Sequence, residues 1–397
     1  MKRRNYPGIL ALVLCCLLAL STPAVAEVVT FAAGPDQISS VGVLDIAQDL
    51  HGDLFFGTEN GLSHYDGEWQ IVHRIYGDSR KGGLLSDHVL AVEFDADGNL
   101  WMGHPNGLQR LEGGTYITLQ DQQLLKALDI HGLRRRGREM WVSAGGVGVH
   151  RYLDGSWRWF PPNGPEGLGC TYVTAMATDP AGNTLFIACR EGIWFTDDTG
   201  DIVRFSPLRI PRIMPDPVRG IQGDPFGGLY IHNGSAVLHL TPPGAWSLVV
   251  TSPQLLPGID ITDLQVGADR TLWIATNNGI YAWRDGAVRE HLDSASGIRS
   301  NAVKRIFLDS AGRLWFVTPD NVGYATTGAK VAGGSAIIPI TTFELPTATP
   351  AAGTSPEPRF TPGISIESTP EETPAPPGPL TGFLDGILSF FRKLMGG

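Results

Sequence analysis

The strongest constraint on the fold of this chain is a short sequence pattern that occurs seven times. A clear copy has an apolar strand, an Asp-x-x-Gly turn, a strand with an aromatic anchor residue, and a Gly-Leu strand, while the three middle copies are weaker. The anchors recur every 40 to 46 residues, and they are Phe55, Trp101, Trp141, Phe186, Tyr230, Trp273 and Trp315. A near-constant period of this length indicates a repeat architecture in which each copy is one supersecondary unit.

The second copy shows what one unit contains. It predicts four β-strands, at residues 89–94, 100–103, 108–111 and 115–119. Turn signals separate these strands, including Asn106-Gly107, a pair that favours a type I′ hairpin turn because both central residues need positive φ. Asn-Gly pairs recur in the same slot at Asn60, Asn233 and Asn278, and the chain holds 50 glycines for such turns. Asn233-Gly234-Ser235 also matches a glycosylation acceptor in this predicted surface hairpin.

Seven units of four antiparallel strands predict an all-β fold, a seven-bladed β-propeller spanning residues 27–330. A flat β-solenoid is the alternative, although its coils are usually shorter. The last copy lacks its final strand, and residues 28–31 precede the first copy in the position of such a strand. We therefore expect the N-terminal segment to complete the last blade, which would leave the ring without open edges.

The first 26 residues predict export. A basic start at residues 2–4, an apolar run at 9–20 and the small residues Ala24, Val25 and Ala26 form a signal peptide cleaved after Ala26. An uncleaved anchor is the alternative, but the apolar run is short for a spanning helix. The sequence therefore predicts a secreted or cell-surface protein. Its net charge of −10 argues against nucleic acid as a partner, because an acidic surface repels phosphates.

The sequence changes character after the repeats. Residues 331–379 are rich in Pro, Thr and Glu, which predicts a disordered linker. Residues 380–397 place apolar side chains at helical spacing and predict a short amphipathic helix. Such a helix would dock on a membrane surface or on a partner. A processed sorting tail and a tail without any binding role are the alternatives.

Two cysteines follow the signal peptide, Cys170 and Cys189. Cys170 precedes the first strand of the fourth copy, and Cys189 follows its second strand. In an antiparallel hairpin the start of one strand faces the end of the next, so the two cysteines are predicted to form a disulfide in an oxidising compartment. A pair of metal ligands is the alternative, but no further ligands are suitably spaced.

The sequence contains none of the common signatures of catalytic, cofactor or metal sites, and it predicts no catalytic residue, no cofactor and no metal. Residues 95–99 resemble the start of a Ca²⁺ loop but lack the distal Glu, so a hairpin turn is the preferred interpretation. The aromatic anchors are interpreted as blade packing rather than as sugar platforms. A ligand is expected on the face formed by the loops between blades and the turns after the second strands. The candidate residues there are Glu59, Asp87, His88, His104, Arg190, Glu191, His232, Asn277, Asn301 and Asp320.

Several segments resemble the two-component regulator propeller repeat, namely residues 83–92, 95–103, 106–111, 276–281 and 297–303. The resemblance covers most of residues 38–324. In that family the repeats form sensor ectodomains of hybrid histidine kinases and also occur in stand-alone secreted proteins. The pattern also looks like that of streptogramin-lyase-type propellers, whose catalytic His and Glu pattern is not evident here. No kinase motif is found in this sequence, so the resemblance implies a stand-alone propeller without phosphotransfer.

These observations favour a binding or sensing module that recognises an extracellular protein or glycan. The alternative is an extracellular lyase or hydrolase acting on a polysaccharide or a similar substrate. Acidic and histidine side chains converging at the propeller axis would favour the enzyme, whereas a mixed polar and aromatic face would favour the binding module.

Overall fold

The computed structural model describes residues 27–73, 83–119, 128–163, 167–179, 182–189, 192–196, 205–208, 217–241 and 245–327, together with residue 210. All of them belong to a unit within residues 1–340. The predicted signal peptide, the predicted linker and the predicted C-terminal helix lie outside the described residues. In the described part of the chain, no helix is long and apolar enough to cross a membrane.

The described residues form seven four-stranded antiparallel sheets, which confirms the predicted seven-bladed β-propeller. The chain begins with β1 (Glu27–Phe31). Blade 1 contains β2 (Val43–Gln48), β3 (Leu54–Thr58), β4 (Gly61–Tyr65) and β5 (Trp69–Val72). Blade 2 contains β6 (Ala91–Phe94), β7 (Leu100–His104), β8 (Gly107–Glu112) and β9 (Thr115–Thr118). Blade 3 contains β10 (Ile130–Arg136), β11 (Glu139–Ala144), β12 (Val149–Leu153) and β13 (Ser156–Phe160).

The remaining blades follow the same order along the chain. Blade 4 contains β14 (Val173–Thr178), β15 (Leu185–Cys189), β16 (Gly192–Thr196) and β17 (Phe205–Leu208). Blade 5 contains β18 (Gly220–Gly223), β19 (Leu229–His232), β20 (Ala236–Thr241) and β21 (Ala245–Thr251), followed by the short helix α1 (Ser252–Leu255). Blade 6 contains β22 (Ile261–Val266), β23 (Leu272–Thr276), β24 (Gly279–Arg284) and β25 (Ala287–Leu292), followed by a 3-10 turn at Ser294–Ser296. Blade 7 contains β26 (Arg305–Leu308), β27 (Arg313–Val317) and β28 (Val322–Thr326).

The N-terminal strand completes the last blade, as predicted. β1 pairs antiparallel with β28, so that Phe31 lies opposite Val322 and Glu27 lies opposite Thr326. The Phe31 ring packs 6.1 Å from the Trp315 ring of blade 7 and 5.2 Å from the Trp69 ring of blade 1, measured between ring centroids. The same strand therefore closes the sheet of blade 7 and contributes to the core between blades 7 and 1.

The aromatic anchors all lie on the second strand of their blades, and most are buried between neighbouring blades. Trp101, Trp141 and Trp315 have no exposed surface. The Trp101 indole donates a 2.8 Å hydrogen bond to the carboxylate of Asp95, which also accepts backbone N–H bonds within its own turn. This carboxylate is therefore engaged in holding the turn and the anchor, as the hairpin interpretation of residues 95–99 expects.

The Asn-Gly turns form hairpins, but the predicted type I′ geometry was wrong. Gly61 and Gly279 have φ values of 114° and 90°, whereas positive φ outside glycine occurs, among the described residues, only at Asp154, Arg270 and Asp285. In the turns at Asn60 and Asn278 the cause is a threonine at the end of the preceding strand, Thr58 or Thr276. For example, Thr58 donates its hydroxyl proton to the Gly61 carbonyl at 2.9 Å and accepts the Asn60 N–H at 3.0 Å. This local network leaves the left-handed conformation to glycine alone.

The predicted surface position of Asn233 was also wrong. Its side chain has no exposed surface, and its Oδ1 atom accepts the backbone N–H groups of Ser235 and Ala236 at 2.9 and 2.8 Å. The amide folds inward to satisfy the turn. The Nδ2 atom, which glycosylation would modify, is buried.

The predicted disulfide is present between Cys170 and Cys189, whose Cα atoms lie 6.0 Å apart. It joins the segment before β14 to the end of β15, and both residues are almost fully buried. The bond therefore fixes the loop that leads into blade 4.

Candidate binding site on the propeller axis

The first strands of the blades surround a cavity of about 830 Å³ on the axis of the propeller. We call its two ends the upper face, where the first strands begin and the second strands end, and the lower face, where the Asp-x-x-Gly turns lie. Blade 2 contributes only Leu90 to the cavity wall, whereas each other blade contributes several residues. The volume is within the range of small-molecule sites in proteins.

One residue from each blade forms a ring near the upper face, which we call the upper ring. Its members are Leu44, Leu90, His131, Thr174, Arg219, Thr262 and Lys304. Four of them are the extra residues of β-bulges, since the pairing of first and second strands shifts at Leu44, His131, Thr174 and Thr262. A bulge re-aims a side chain at the end of a strand, and here it directs side chains toward the cavity.

The two threonines and the histidine of the upper ring lie within hydrogen-bonding distance of backbone carbonyls. The Thr262 hydroxyl donates to the Val303 carbonyl of the next blade at 2.7 Å, and the Thr174 hydroxyl donates to the Ala188 carbonyl at 3.2 Å. Both ring nitrogens of His131 lie within hydrogen-bonding distance of carbonyl oxygens, at 3.2 Å from Asp129 and 3.0 Å from Val173. These bonds set the side-chain orientations before any ligand arrives.

An aromatic pair stands at the rim beside His131. The ring of Tyr172 stacks on the His131 imidazole, with centroids 5.0 Å apart and planes 4° from parallel. Tyr172 is 48% exposed, so the other side of its ring faces solvent. Since Cys170 lies two residues away in a disulfide, this aromatic surface is carried on a restrained segment.

The two cations of the upper ring lie on blades 5 and 7. Arg219 contacts Asp260 through Nη1, at 2.8 and 2.7 Å from the two carboxylate oxygens. Lys304 makes no ion pair with any of the described residues, and its side chain is exposed. No carboxylate belongs to the upper ring, and Asp260 beside it neutralises part of the charge of Arg219.

His232 fills the wall of the cavity between these groups. Its Nε2 atom lies over Gly220 of the neighbouring strand, so closely that a Cβ atom on Gly220 would collide with it. Burial lowers the pKa of His232 to about 4, so the ring is neutral at pH 7. Its Nδ1 atom is buried and has no hydrogen-bond partner among the described residues. The glycine in β18 thus makes room for an imidazole to reach the axis.

The middle of the cavity carries acidic side chains that are engaged by the protein itself. Asp45 contacts Arg305 at 3.2 Å and accepts the Val92 N–H at 3.0 Å. The carboxylate of Asp263 accepts the Ile306 N–H at 2.9 Å. Burial raises the pKa of Asp263, and the nearby positive charge of Arg305 opposes this effect. Both acids therefore link one blade to the next.

A second acidic contact joins blades 2 and 3. Glu93 lies 3.2 Å from Nη1 of Arg134, whose Nε atom donates to the Met176 carbonyl of blade 4 at 3.2 Å. Burial raises the pKa of Glu93, while the Arg134 guanidinium lowers it. The described residues contain no group of three or more His, Cys, Asp or Glu side chains that could hold a metal ion.

Of the ten candidate ligand-face residues, Arg190 and Glu191 lie outside the described residues. Only His232 lines the axial cavity. Asn277 is near it, because its side-chain oxygen accepts the Asp260 N–H at 2.9 Å and Asp260 contacts Arg219.

The other six described candidates lie away from the cavity wall. Asp87, His88 and His104 are grouped at the junction of blades 1 and 2, where His104 Nδ1 lies 3.1 Å from the His88 carbonyl. His104 is fully buried, and burial lowers its pKa to about 4. Asn301 accepts the Ser294 N–H at 2.7 Å. The two remaining side chains are exposed in turns at the upper face, Glu59 and Asp320.

Several residues of the site were missed by the sequence analysis, chiefly Arg219, Lys304 and Tyr172. They have no common residue type at their position in the repeat. Their only signal is their place in the chain, directly before or at the start of the first strand of each blade. An alignment of the seven repeat copies on the residue at the start of each first strand would have placed these positions in the same column.

No protein-family model matches the sequence, and comparison with curated proteins finds no significant match. Solved structures do match. The extracellular domain of a putative hybrid two-component system of B. thetaiotaomicron is 17% identical with a TM-score of 0.62, over 76% of this chain and 39% of that one. A second such domain from the same organism is 20% identical with a TM-score of 0.58, over 71% and 39%. This chain thus spans about two fifths of the length of either domain.

A shorter protein matches over nearly its whole length. Virginiamycin B lyase from Staphylococcus aureus is 18% identical with a TM-score of 0.57, over 76% of this chain and 99% of that one. At these identities the likeness concerns the fold. The resemblance to two-component regulator propellers noted in the sequence is thus confirmed for the fold, and the chain is a seven-bladed β-propeller similar to the extracellular domains of two-component systems.

Proposed function

We propose that this protein is an extracellular binding and sensing module whose ligand, a protein or a glycan, contacts the upper face and the axial cavity. The observation that carries the proposal is the cavity of about 830 Å³, whose upper end presents oriented polar groups, two cations and a neutral histidine. Such preformed pockets with few oriented polar groups are typical of ligand sites.

The extracellular assignment has independent support. The Cys170–Cys189 disulfide suits an oxidising compartment. The similar solved structures include extracellular domains of putative two-component systems. The signal peptide predicted to end at Ala26 points in the same direction.

The arrangement of the acids supports binding over catalysis. Asp45, Glu93 and Asp263 face arginines or backbone N–H groups of adjacent blades, so they serve as links between blades. A lyase or hydrolase reaction needs an acid or base free to exchange a proton with substrate. The likeness to virginiamycin B lyase is one of fold.

The exposed candidates on the upper face, such as Glu59, His88 and Asp320, would widen the contact for a macromolecular ligand. We further propose that the segment 380–397 docks the protein on a membrane surface or on a partner. A flotation assay comparing the full chain with a form ending at Pro379 tests this, and equal flotation of the two forms would reject membrane docking.

The proposed ligand site is tested by blocking the cavity. Thr174 is exposed and lines the upper end, so Thr174→Trp places an indole in the opening. Thr115→Trp is the matched control, because Thr115 is exposed on the outermost strand of blade 2, away from the cavity. The measurement is the capture of ligands from a panel of extracellular glycans and surface proteins. We expect Thr174→Trp to lose the capture seen with the wild-type protein, and Thr115→Trp to retain it. If both variants captured the same ligands as the wild type, the cavity would not be the ligand site.

A further inference from the structure

We infer that the upper end of the axial cavity binds a sugar that carries a carboxylate, that is, a uronic acid. This inference rests on the proposed function and specifies its ligand class. Three features lead to it: cationic donors on blades 5 and 7, a neutral buried histidine on blade 5, and an exposed aromatic ring that directly precedes blade 4.

The cationic donors select the charge of the ligand. Arg219 uses one nitrogen, Nη1, for both oxygens of Asp260, and no other bond of its guanidinium is found among the described residues. Lys304 has no ion-pair partner in that part of the chain. Asp260 neutralises part of this charge, but no acid is present in the upper ring itself. In a protein with a net charge of −10, Lys304 and the partly neutralised Arg219 at one opening favour an anion there.

The histidine suits a hydroxyl-rich ligand. His232 is 3% exposed and lines the cavity, and burial lowers its pKa to about 4, so its imidazole is neutral at pH 7. A neutral imidazole offers one donor and one acceptor, as a sugar hydroxyl does in return.

The aromatic ring suits a pyranose. Tyr172 is 48% exposed and its ring stacks on His131, whose two ring nitrogens lie 3.2 and 3.0 Å from backbone carbonyl oxygens. A ring fixed in this way packs against the apolar C–H face of a sugar with little loss of side-chain entropy. An aliphatic acid would leave this surface and the histidine unused, which is why the inference specifies a sugar acid.

The test compares two sugars that differ only in the group at C6. D-galacturonate carries a carboxylate where D-galactose carries a hydroxymethyl group, and each is titrated against the full chain by calorimetry at millimolar concentration. We expect galacturonate to bind about tenfold more tightly, as charge-assisted hydrogen bonds are stronger than neutral ones. The preference should decrease when salt is added, because it depends on an exposed charge.

Charge-removing variants locate the effect. Lys304→Gln and Arg219→Gln should each lower the preference for galacturonate several-fold while leaving galactose binding nearly unchanged. Arg138→Gln is the matched control, since Arg138 is an exposed arginine in the turn between β10 and β11 at the lower face. It should retain the wild-type preference.

Three outcomes would overturn the inference: equal affinity for the two sugars, no binding of either sugar, or an unchanged preference in both Lys304→Gln and Arg219→Gln. None of these outcomes removes the proposed binding function, which fails only if Thr174→Trp captures the same ligands as the wild type. If the two sugars bind equally and Thr174→Trp abolishes that binding, the axial cavity is the ligand site but it does not select for acidic sugars.

Discussion

In the last blade, the indole Nε1 of Trp315 donates a 2.9 Å hydrogen bond to the carboxylate of Asp309, and neither side chain has exposed surface. The same carboxylate accepts the Arg313 N–H at 2.8 Å, so one acid joins the turn, the second strand and the core of the blade. Blade 2 repeats the arrangement with Trp101 and Asp95. In blades 2 and 7 the Asp-x-x-Gly turn and the tryptophan anchor are thus joined by a side-chain hydrogen bond.

Removal of this acid should destabilise the propeller. Asp309→Ala leaves the Trp315 indole and the Arg313 N–H unsatisfied in the core, at a cost of roughly 3 kcal/mol in the free energy of unfolding. Asp97→Ala, in the corresponding turn of blade 2, is the control because Asp97 is exposed. Urea denaturation followed by tryptophan fluorescence measures both. Equal stability of the two variants would contradict the role of Asp309.

Closure of the ring makes a separate prediction. Phe31→Ala removes an aromatic side chain from the core between blades 7 and 1, and we expect a loss of about 3 kcal/mol in the free energy of unfolding. Glu27→Ala alters the exposed end of the same strand and should have little effect. Denaturation curves of the two variants provide the comparison. If the thermal midpoint of Phe31→Ala matched that of the wild type, β1 would not be a stabilising part of blade 7.

The disulfide should be measurable both chemically and in stability. In a chain beginning at Glu27 and denatured without reductant, thiol titration should find no free thiol, and it should find two after reduction. Replacement of Cys170 and Cys189 by alanine should lower the free energy of unfolding by about 3 kcal/mol, given their separation of 19 residues. Two reactive thiols before reduction would show that the bond does not form.

Buried histidines should make the protein sensitive to acid. Burial lowers the pKa of His150 from 6.5 to about 4, and its ring is 2% exposed without a partner among the described residues. Because the unfolded chain binds a proton at higher pH than the folded one, stability is complete above pH 6.5 and is lost as the pH falls toward 4. One such group accounts for about 3 kcal/mol at the end of that range.

The contribution of His150 can be isolated by replacing it with phenylalanine. His150→Phe keeps an aromatic ring beside Trp159 and removes the titration. The slope of unfolding free energy against pH between 6.5 and 4 should then fall by up to 1.4 kcal/mol per pH unit, or about one proton. Measurement at pH 8 is the control, since only packing differs there. Identical slopes for variant and wild type would contradict the assignment.

Much of the fold could be predicted from sequence because the repeated positions are the ones that hold the blades together. Trp101, Trp141 and Trp315 are buried in equivalent places, and this shared requirement preserves a recognisable period. The pairing of Cys170 with Cys189 followed from the register of a hairpin. The turn geometry at Asn60 was missed because it depends on a hydroxyl bond from Thr58 that competes with the usual Asn-Gly preference.

The candidate site was harder to predict for a related reason. The upper ring combines one residue from each blade, and its members differ because no common packing role selects them. Arg219 and Lys304 become neighbours of one cavity only when the ring closes, and four bulges decide which side chains turn inward. His232 was recognised from its place at the end of a second strand, but the space above Gly220 that lets it reach the axis is visible only in three dimensions.

The pairing of Glu27 with Thr326 determines where the two described chain ends leave the propeller. Both residues lie on the outermost strands of one blade, at the end that belongs to the lower face. A tether joined at either residue would therefore leave the wheel from a single point on its circumference, on the side away from the upper ring. The two described chain ends therefore leave the upper face free of themselves.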